Sequence, residues 1–339
     1  MFIIQQTGLA IGVCLLAMLC WGSWSNGQKL AAQAKVPITQ FYRDYVLGIA
    51  LLTVLVVATL GSIGHEGRPF LADVRQAEWG RLGLALAAGV VFNLGNQLLV
   101  AGIQSAGLAI AMPVGSGIAL ALGLVVNYIA EPKGNLWLLV AGGALVLVSL
   151  GCSAGAYAKK QNASDQQDDN KSSSQGLFIA GAAGIANGFF FWMVTSPLAK
   201  DFAHPAAGKL TPYTALALFV GGILASNPVV EQVLRHFADS PEAAQVRYRE
   251  VPARQHAVGI GSGVVWGVGM AALLLASTEA GSAISFGLSQ GATIVAVLWG
   301  LFTWHEFRDA PAPAFRWLWA MGVAYVLGVG LIVLARLQQ

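Results

Sequence analysis

From Leu82 to Ala130 the chain runs 49 residues without one Asp, Glu, Lys or Arg. A water-soluble domain cannot carry such a run, because charge must recur wherever a surface meets solvent. One bilayer crossing takes about 20 apolar residues, so the run is long enough for two crossings and a turn. The rest of the chain agrees. Charged residues make up 10% of it and hydrophobic residues 56%, where soluble domains carry roughly 25% charge. Lipid, not water, must meet most of the side chains.

The remaining charge-poor runs hold one span each. In order, spans fall at about 8–29, 45–64, two within 82–130 with a turn near Ser105-Ala106-Gly107, then 134–158, 176–199, 210–230, 257–278, 280–304 and 316–336. The fold class expected is an all-α membrane protein with ten transmembrane helices. The polar stretch QNASDQQDDNKSSSQ at 161–175 reads as a solvated linker. It divides the chain into a first five-helix unit, 1–160, and a second, 176–339. The segment 231–255, with Arg235, Arg247, Arg249 and Arg254, reads as an interfacial helix or a plain loop. Met1 to Gly8 carries no Lys or Arg and no cleavage site follows, so an uncleaved first helix is expected. Loops after the odd-numbered spans hold 12 of the 19 Lys and Arg. The positive-inside rule then places both termini outside and the 161–175 linker in the cytoplasm, in a cell inner membrane.

Several function classes fall away. The net charge of +3 includes no basic tract for nucleic acid. Cys14, Cys20 and Cys152 lie in apolar runs without metal-ligand spacing. The five histidines (His65, His204, His236, His256, His305) sit at span ends or in loops, and His305-Glu306 lacks the second His of a zinc motif. No catalytic constellation, metal site or cofactor site is expected, which counts against a membrane-embedded enzyme. The partners expected are the bilayer and a small-molecule substrate, with the chain a monomer or homodimer.

An internal repeat says more. GVVFNLGN at 89–96 slides by 174 residues onto GVVWGVGM at 263–270, and without a gap Gly117 then falls on Gly291. Gly8-Leu9 corresponds to Gly176-Leu177, and Trp24 to Trp192. Helices 1–5 therefore match helices 6–10. Five is odd, so the second copy enters the membrane from the opposite side as an inverted repeat. Such 5+5 repeats place a solute site near the midplane and expose it alternately to each face. That is the plan of a transporter.

The candidate solute contacts follow from depth in the membrane. Asn93, Asn96 and Gln97 share one helix face by their i, i+3, i+4 spacing, and amides facing lipid are costly. Interhelical bonding is the competing use of such amides. Trp21 and Trp24 share a face of helix 1, and Trp192 and Trp266 lie on helices 6 and 8. Their rings could stack on a planar solute, whereas Trp137, Trp304, Trp317 and Trp319 near span ends read as an interfacial belt. Ser289, Gln290 and Thr293 form a second polar cluster, with Ser116 near the repeat-equivalent level and Asn187 on helix 6. Pro113, ahead of Gly115 and Gly117, kinks helix 4 about midway. Lys29 and Asp44, at the end of helix 1 and the mouth of helix 2, are the candidates for ion coupling. With no carboxylate in the middle of a span, a relay through Asp or Glu loses support, and uniport or another ion stays open.

The stretches LLAMLCWGSWSNGQKL (15–30), PITQFYRDYVLG (37–48), GVVFNLGNQ (89–97), LGLVVNYIAEPKGN (122–135) and LTPYTALALF (210–219) together resemble the ureide permease family, a branch of the drug/metabolite transporter superfamily. The resemblance implies the drug/metabolite transporter fold and import of allantoin, uracil, xanthine or related heterocycles, driven by protons. It also implies kinship with the glucose/ribose and rhamnose porters, which keeps a sugar or nucleoside porter open, and behind it a metabolite or drug exporter. Plant members carry a phosphate-binding Gly-rich loop in the central cytosolic segment. Residues 159–175 hold no G-x-x-x-x-G-K-[ST], so nucleotide binding does not carry over.

Overall fold

The computed structural model describes residues 1–106, 108–163, 174–237, 246–308 and 310–338. The turn residue Gly107 and the body of the polar linker, 164–173, lie outside the described residues. Ten described helices are long and apolar enough to cross a membrane: Thr7–Gln33, Ile38–Ala58, Trp79–Ile103, Ala111–Ala130, Leu136–Lys160, Ser174–Thr195, Pro212–Gln232, Ala253–Ala280, Ser282–Phe302 and Ala312–Leu337. They are numbered here as spans 1–10. Among the described residues there is no strand, only one isolated bridge between Leu198 and Leu210.

Proline sets several of the starts. Pro37, Pro252 and Pro311 immediately precede spans 2, 8 and 10, and Pro212 opens span 7. The first turn of a helix leaves its N–H groups unused, so the missing donor costs nothing there. Spans 8 and 9 join through a single residue, Gly281, at φ +89°, a left-handed conformation that reverses the chain without a loop.

Two spans differ from the sequence expectation. Span 2 begins at Ile38 rather than near 45, because Thr39, Gln40 and Asp44 are all buried against protein instead of meeting water. Asp44 is therefore not at the mouth of the helix but inside it. Span 9 is not one helix. It breaks into Ser282–Ser289 and Ala292–Phe302 with a turn at Gln290-Gly291. In the 231–255 segment, span 7's helix runs on to Phe237, a short 3-10 turn covers Tyr248–Glu250, and 238–245 lie outside the described residues.

Glycines set the closest interhelical seams. A Cβ on Gly89 of span 3 would overlap the Phe219 carbonyl of span 7, and one on Gly263 of span 8 the Tyr45 carbonyl of span 2. In the same two seams, Gly222 lies against the Leu86 carbonyl and Gly48 against that of Ile260. Without side chains at these four positions, backbone meets backbone across the membrane. Spans 5 and 10 pack along each other at the side of the bundle, with Gly142 on the Gly328 carbonyl. Val54, Ile129, Phe178 and Val326 project outward, as residues facing lipid must.

Candidate functional site

The centre of the bundle is aromatic. Trp266 of span 8, 4% exposed, stacks on Trp21 of span 1 at 5.5 Å with the planes 6° apart. The Trp21 indole Nε1 donates to the Trp266 carbonyl at 3.2 Å. Phe92 lies 4.9 Å from the Trp266 ring, Tyr45 6.2 Å and Phe219 6.3 Å. Trp24 joins through Tyr45 at 4.9 Å. The structure thus brings Trp21, Trp24 and Trp266 into one aromatic group, but the Trp21 and Trp266 rings already cover each other and Trp24 lies against Tyr45. Trp192 is placed differently, edge-to-face on Phe189 at 6.3 Å.

Beside this wall stands the amide row of span 3. Asn93 is fully buried. Its Oδ1 accepts from the Tyr42 hydroxyl at 2.5 Å, and its Nδ2 donates to Ser226 Oγ at 2.9 Å and to the Ile223 carbonyl at 3.3 Å. It ties spans 2, 3 and 7, and its bonding capacity is largely spent. The Tyr42 hydroxyl also lies within reach of the Asn96 and Gln97 side chains. Gln97 is 2% exposed, yet its Oε1 has no donor, and the same holds for the buried Oδ1 of Asn187 on span 6. Asn187 sits against span 3 at Gly95, where a Cβ would come within 2.8 Å of that oxygen. Asn227 Oδ1 and Gln255 Oε1 are buried without donors as well, and each such group costs about 1–3 kcal/mol.

The second polar cluster surrounds the break in span 9. Ser289 is buried and donates to the Phe286 carbonyl of its own helix at 2.7 Å. Gln290 and Gly291 form the turn. Tyr325 of span 10 and Met18 of span 1 close over Gly291, and the Tyr325 hydroxyl donates to Met18 Sδ at 2.8 Å. Just past the break, Thr293 faces a cavity of about 150 Å³ shared with Pro113, Ser116, Ser153 and Tyr157. Pro113, near the start of the helix Leu108–Ala130 rather than about midway along it, and the break of span 9 therefore border one space, which Ser116 and Thr293 also line. A cavity of this size holds one ring-sized molecule.

Polar ties close both faces of the bundle. On the face bearing residues 246–252, Lys29 pairs with Glu306, which also accepts from the Tyr157 hydroxyl at 3.2 Å. Trp304 Nε1 donates to Asn26 Oδ1 at 2.6 Å, and Trp299 Nε1 to Ser23 Oγ at 2.9 Å. Lys29 and Asp44 do not pair with each other. Asp44, 1% exposed, instead accepts from the Tyr248 hydroxyl and lies 2.7 Å from His256 Nδ1. On the opposite face Arg68 reaches Asp73 at 2.9 Å and the Pro205 carbonyl at 2.5 Å, while Asp73 accepts from the Thr211 N–H at 2.7 Å. Glu131 of span 4 accepts from Ser282 of span 9 at 2.7 Å. Nearby a cavity of about 160 Å³ is lined by Thr195, Lys209 and Ser277, among others. Burial, then the charge of Arg81, holds the Lys209 amine below its ordinary range. Among the described residues, no group of three or more His, Cys, Asp and Glu could hold a metal ion.

Sequence reasoning missed Tyr42, Tyr45, Phe92, Ser226, Tyr248 and His256. The aromatic ones look like any core residue in the sequence. The Asp44 partners lie more than 200 positions away, so only the fold joins them.

Residues 41–182 match the profile of the ureide permease family, and residues 240–335 that of the sugar transport protein family. Ureide permease 1 of Arabidopsis thaliana is 29% identical over 168 residues, a stretch covering 49% of this chain and 43% of that protein. Ureide permease 5 of the same plant is 22% identical, and its match covers 98% of this chain and 95% of that protein. In the first three curated relatives the matched stretch spans 42–50% of their length, about half or less. One solved crystal structure superposes with a TM-score of 0.63 over 97% of this chain and 99% of that one, at 14% identity, a likeness of fold alone. The chain is therefore a multi-pass membrane protein whose residues 41–182 are similar to the ureide permease family and whose residues 240–335 are similar to the sugar transport protein family.

Proposed function

We propose that the chain is a secondary transporter, not an enzyme, that imports a small neutral solute rich in N–H groups: a ureide, a nucleobase or a related purine or pyrimidine breakdown product. The names of the matched relatives support the ureide reading. The observation that carries it is that, of the four described amide oxygens buried without donors, two, Gln97 Oε1 and Asn187 Oδ1, belong to spans 3 and 6 beside the aromatic core, the others being Asn227 Oδ1 and Gln255 Oε1. A ureido or lactam N–H supplies what these oxygens lack, and a flat ring suits the aromatic surfaces. In this reading Asn96, Gln97, Asn187 and the Trp21–Trp24–Trp266 group, with Ser116, Gln290 and Thr293 near the break in span 9, surround the solute. Asn93, Ser289 and Trp192 hold the walls in place.

The transport cycle proposed is alternating access between two inverted halves, 1–160 and 176–339, on the drug/metabolite transporter fold. The glycine seams support the repeat. Adding 174 to Tyr45, Gly48, Leu86 and Gly89 gives Phe219, Gly222, Ile260 and Gly263, the same contacts with the halves exchanged. Polar ties across the halves on both faces suit an occluded state, from which breaking one set opens one side. The inner membrane of a cell, with both termini outside and 161–175 cytoplasmic, is the orientation that the Lys and Arg distribution favours.

A second reading, a sugar porter, is favoured by the sugar transport profile over 240–335 and by the hydroxyls of Ser116, Ser153 and Thr293 around one cavity. Counterflow into proteoliposomes separates the two. Labelled allantoin or uracil should exchange in wild type, and Gln97→Leu should slow that exchange about tenfold or more while leaving the purified protein at least as stable. Exchange of pentoses alone would overturn the proposal, as would Gln97→Leu with undiminished exchange.

A further inference from the structure

Asp44 is the one carboxylate that the structure buries inside the upper turns of span 2, and its surroundings are built. Its oxygens are held by two partners from the other half of the chain: Tyr248 in the turn before span 8, and His256 in the first turns of span 8. Asp44 itself is 1% exposed, whereas the His256 side chain is 20% exposed. One partner is shut away from water and the other touches it. Gly259, one turn beyond His256, brings span 8 so close that a Cβ there would lie 2.5 Å from the Asp44 Cβ. The trio thus sits at the end of the span 2–span 8 seam that Gly48 and Gly263 bring to backbone contact.

None of the other described charged groups around the trio forms an ion pair with the Asp44 carboxylate. On span 2, Arg43 lies over the Tyr248 ring at 5.1 Å and 3.4 Å from Glu231 of span 7. Glu231 also accepts from Asn227 at 3.2 Å. In the turn before span 8, Glu250 accepts from the Arg247 N–H at 3.0 Å. Arg249 and Arg254 complete the charged residues of that turn and the start of span 8. On span 1, Lys29 is held by Glu306. His256 is therefore the basic group in direct contact with the Asp44 carboxylate. Burial, and next the bond to Asp44 and its charge, push the Tyr248 phenol up to about 12, so it stays a neutral donor throughout the working pH range.

We propose that Asp44 and His256 together bind one exchangeable proton, and that this proton latches span 2 to span 8 and keeps this face shut. The inference rests on the alternating-access reading above and names the device that controls one of its gates. The proton comes from water to His256 Nε2, since Nδ1 is committed to Asp44. With both ring nitrogens protonated, imidazolium and carboxylate form a buried ion pair between the two halves. When the proton returns to water, a neutral ring holds the same carboxylate through one N–H. Charge-assisted hydrogen bonds are roughly twice as strong as neutral ones. Raising the pH on this face therefore loosens the latch, and opening it parts the seam.

Hydrogen–deuterium exchange of the purified full chain, read on peptides covering 38–50 and 246–262, tests the latch without any solute. Corrected for intrinsic exchange, local opening in wild type should rise about tenfold from pH 5.5 to pH 8. His256→Gln, which keeps a hydrogen-bonding side chain but cannot charge, should open at one rate at all pH values. Tyr248→Phe should open faster while keeping the pH dependence. Asp44→Asn should resemble His256→Gln, and if it does not fold, His256→Gln alone decides. Counterflow in proteoliposomes should follow the same pattern. A flat wild-type profile, or His256→Gln as pH-dependent as wild type, overturns the latch. Robust but pH-independent counterflow overturns the latch and leaves the transporter reading standing. Loss of all counterflow with an intact exchange profile does the reverse.

Discussion

The two glycine seams make a prediction that tests packing and symmetry together. Replacing Gly263 by Ala puts a methyl group 1.9 Å from the Tyr45 carbonyl oxygen, 2.8 Å from its carbon and 2.9 Å from the Ile49 nitrogen. Ordinary contact begins near 3.4 Å, so span 2 must retreat by about 1.5 Å against a rigid backbone. Gly89→Ala meets nearly identical obstacles, the Phe219 carbonyl oxygen at 1.8 Å, its carbon at 2.8 Å and the Ile223 nitrogen at 3.0 Å. Overpacking of this kind costs about 1–3 kcal/mol. Each helix carries its own control, since a Cβ on Gly261 or Gly83 meets nothing within 4 Å. Those two alanines gain helix propensity, at most about 1 kcal/mol. Thermal unfolding in one detergent should place Gly263→Ala and Gly89→Ala about 1–3 kcal/mol below Gly261→Ala and Gly83→Ala. The two clashing variants should also agree with each other within about 0.5 kcal/mol, as equivalent sites with no shared partner do. Four variants of equal stability would refute the close seams. Two clashing variants that differ widely would refute their equivalence.

Other expectations follow from burial. Trp266→Ala should cost about 3–5 kcal/mol, measured by the same unfolding assay, because it empties the centre of the aromatic core, whereas Trp266→Phe should cost far less. Asp73→Asn should destabilise by about 3 kcal/mol or more, since it leaves Arg68 without its fully buried partner, and adding Arg68→Met should cost less than the sum of the two changes. Lys29→Met should change stability by only about 1 kcal/mol, the pair with Glu306 being a quarter to a third exposed, yet speed counterflow by loosening one face.

Much of the architecture was legible in the sequence because lipid imposes a simple rule. Charge-free stretches of the right length have to be helices, and the ten spans fall close to where the runs lie. The start of span 2 was not legible for a physical reason. Thr39, Gln40 and Asp44 look like surface residues until the fold supplies Tyr248, His256 and the Val246 carbonyl as partners. The break in span 9 left only a faint sign in Ser289-Gln290-Gly291, since Gly is common in membrane helices and the turn forms where Tyr325 and Met18 close on Gly291. The amide row on span 3 was visible as a face. That Asn93 is spent on Tyr42 and Ser226 while Gln97 keeps a bare oxygen depends on spans 2 and 7, which no local pattern encodes. Trp21, Trp24 and Trp266 read as solute platforms in the sequence, and the structure places them in one group, but Trp21 and Trp266 stack on each other and Trp24 leans on Tyr45.

The central claim concerns the solute. Purified protein, heated in the presence of ureides, nucleobases, nucleosides and pentoses in turn, gives the most direct answer, because a ligand that binds only the folded state raises the unfolding temperature. The account predicts that allantoin, uracil or a close relative raises it and that Gln97→Leu abolishes the rise. A rise with pentoses alone would contradict it.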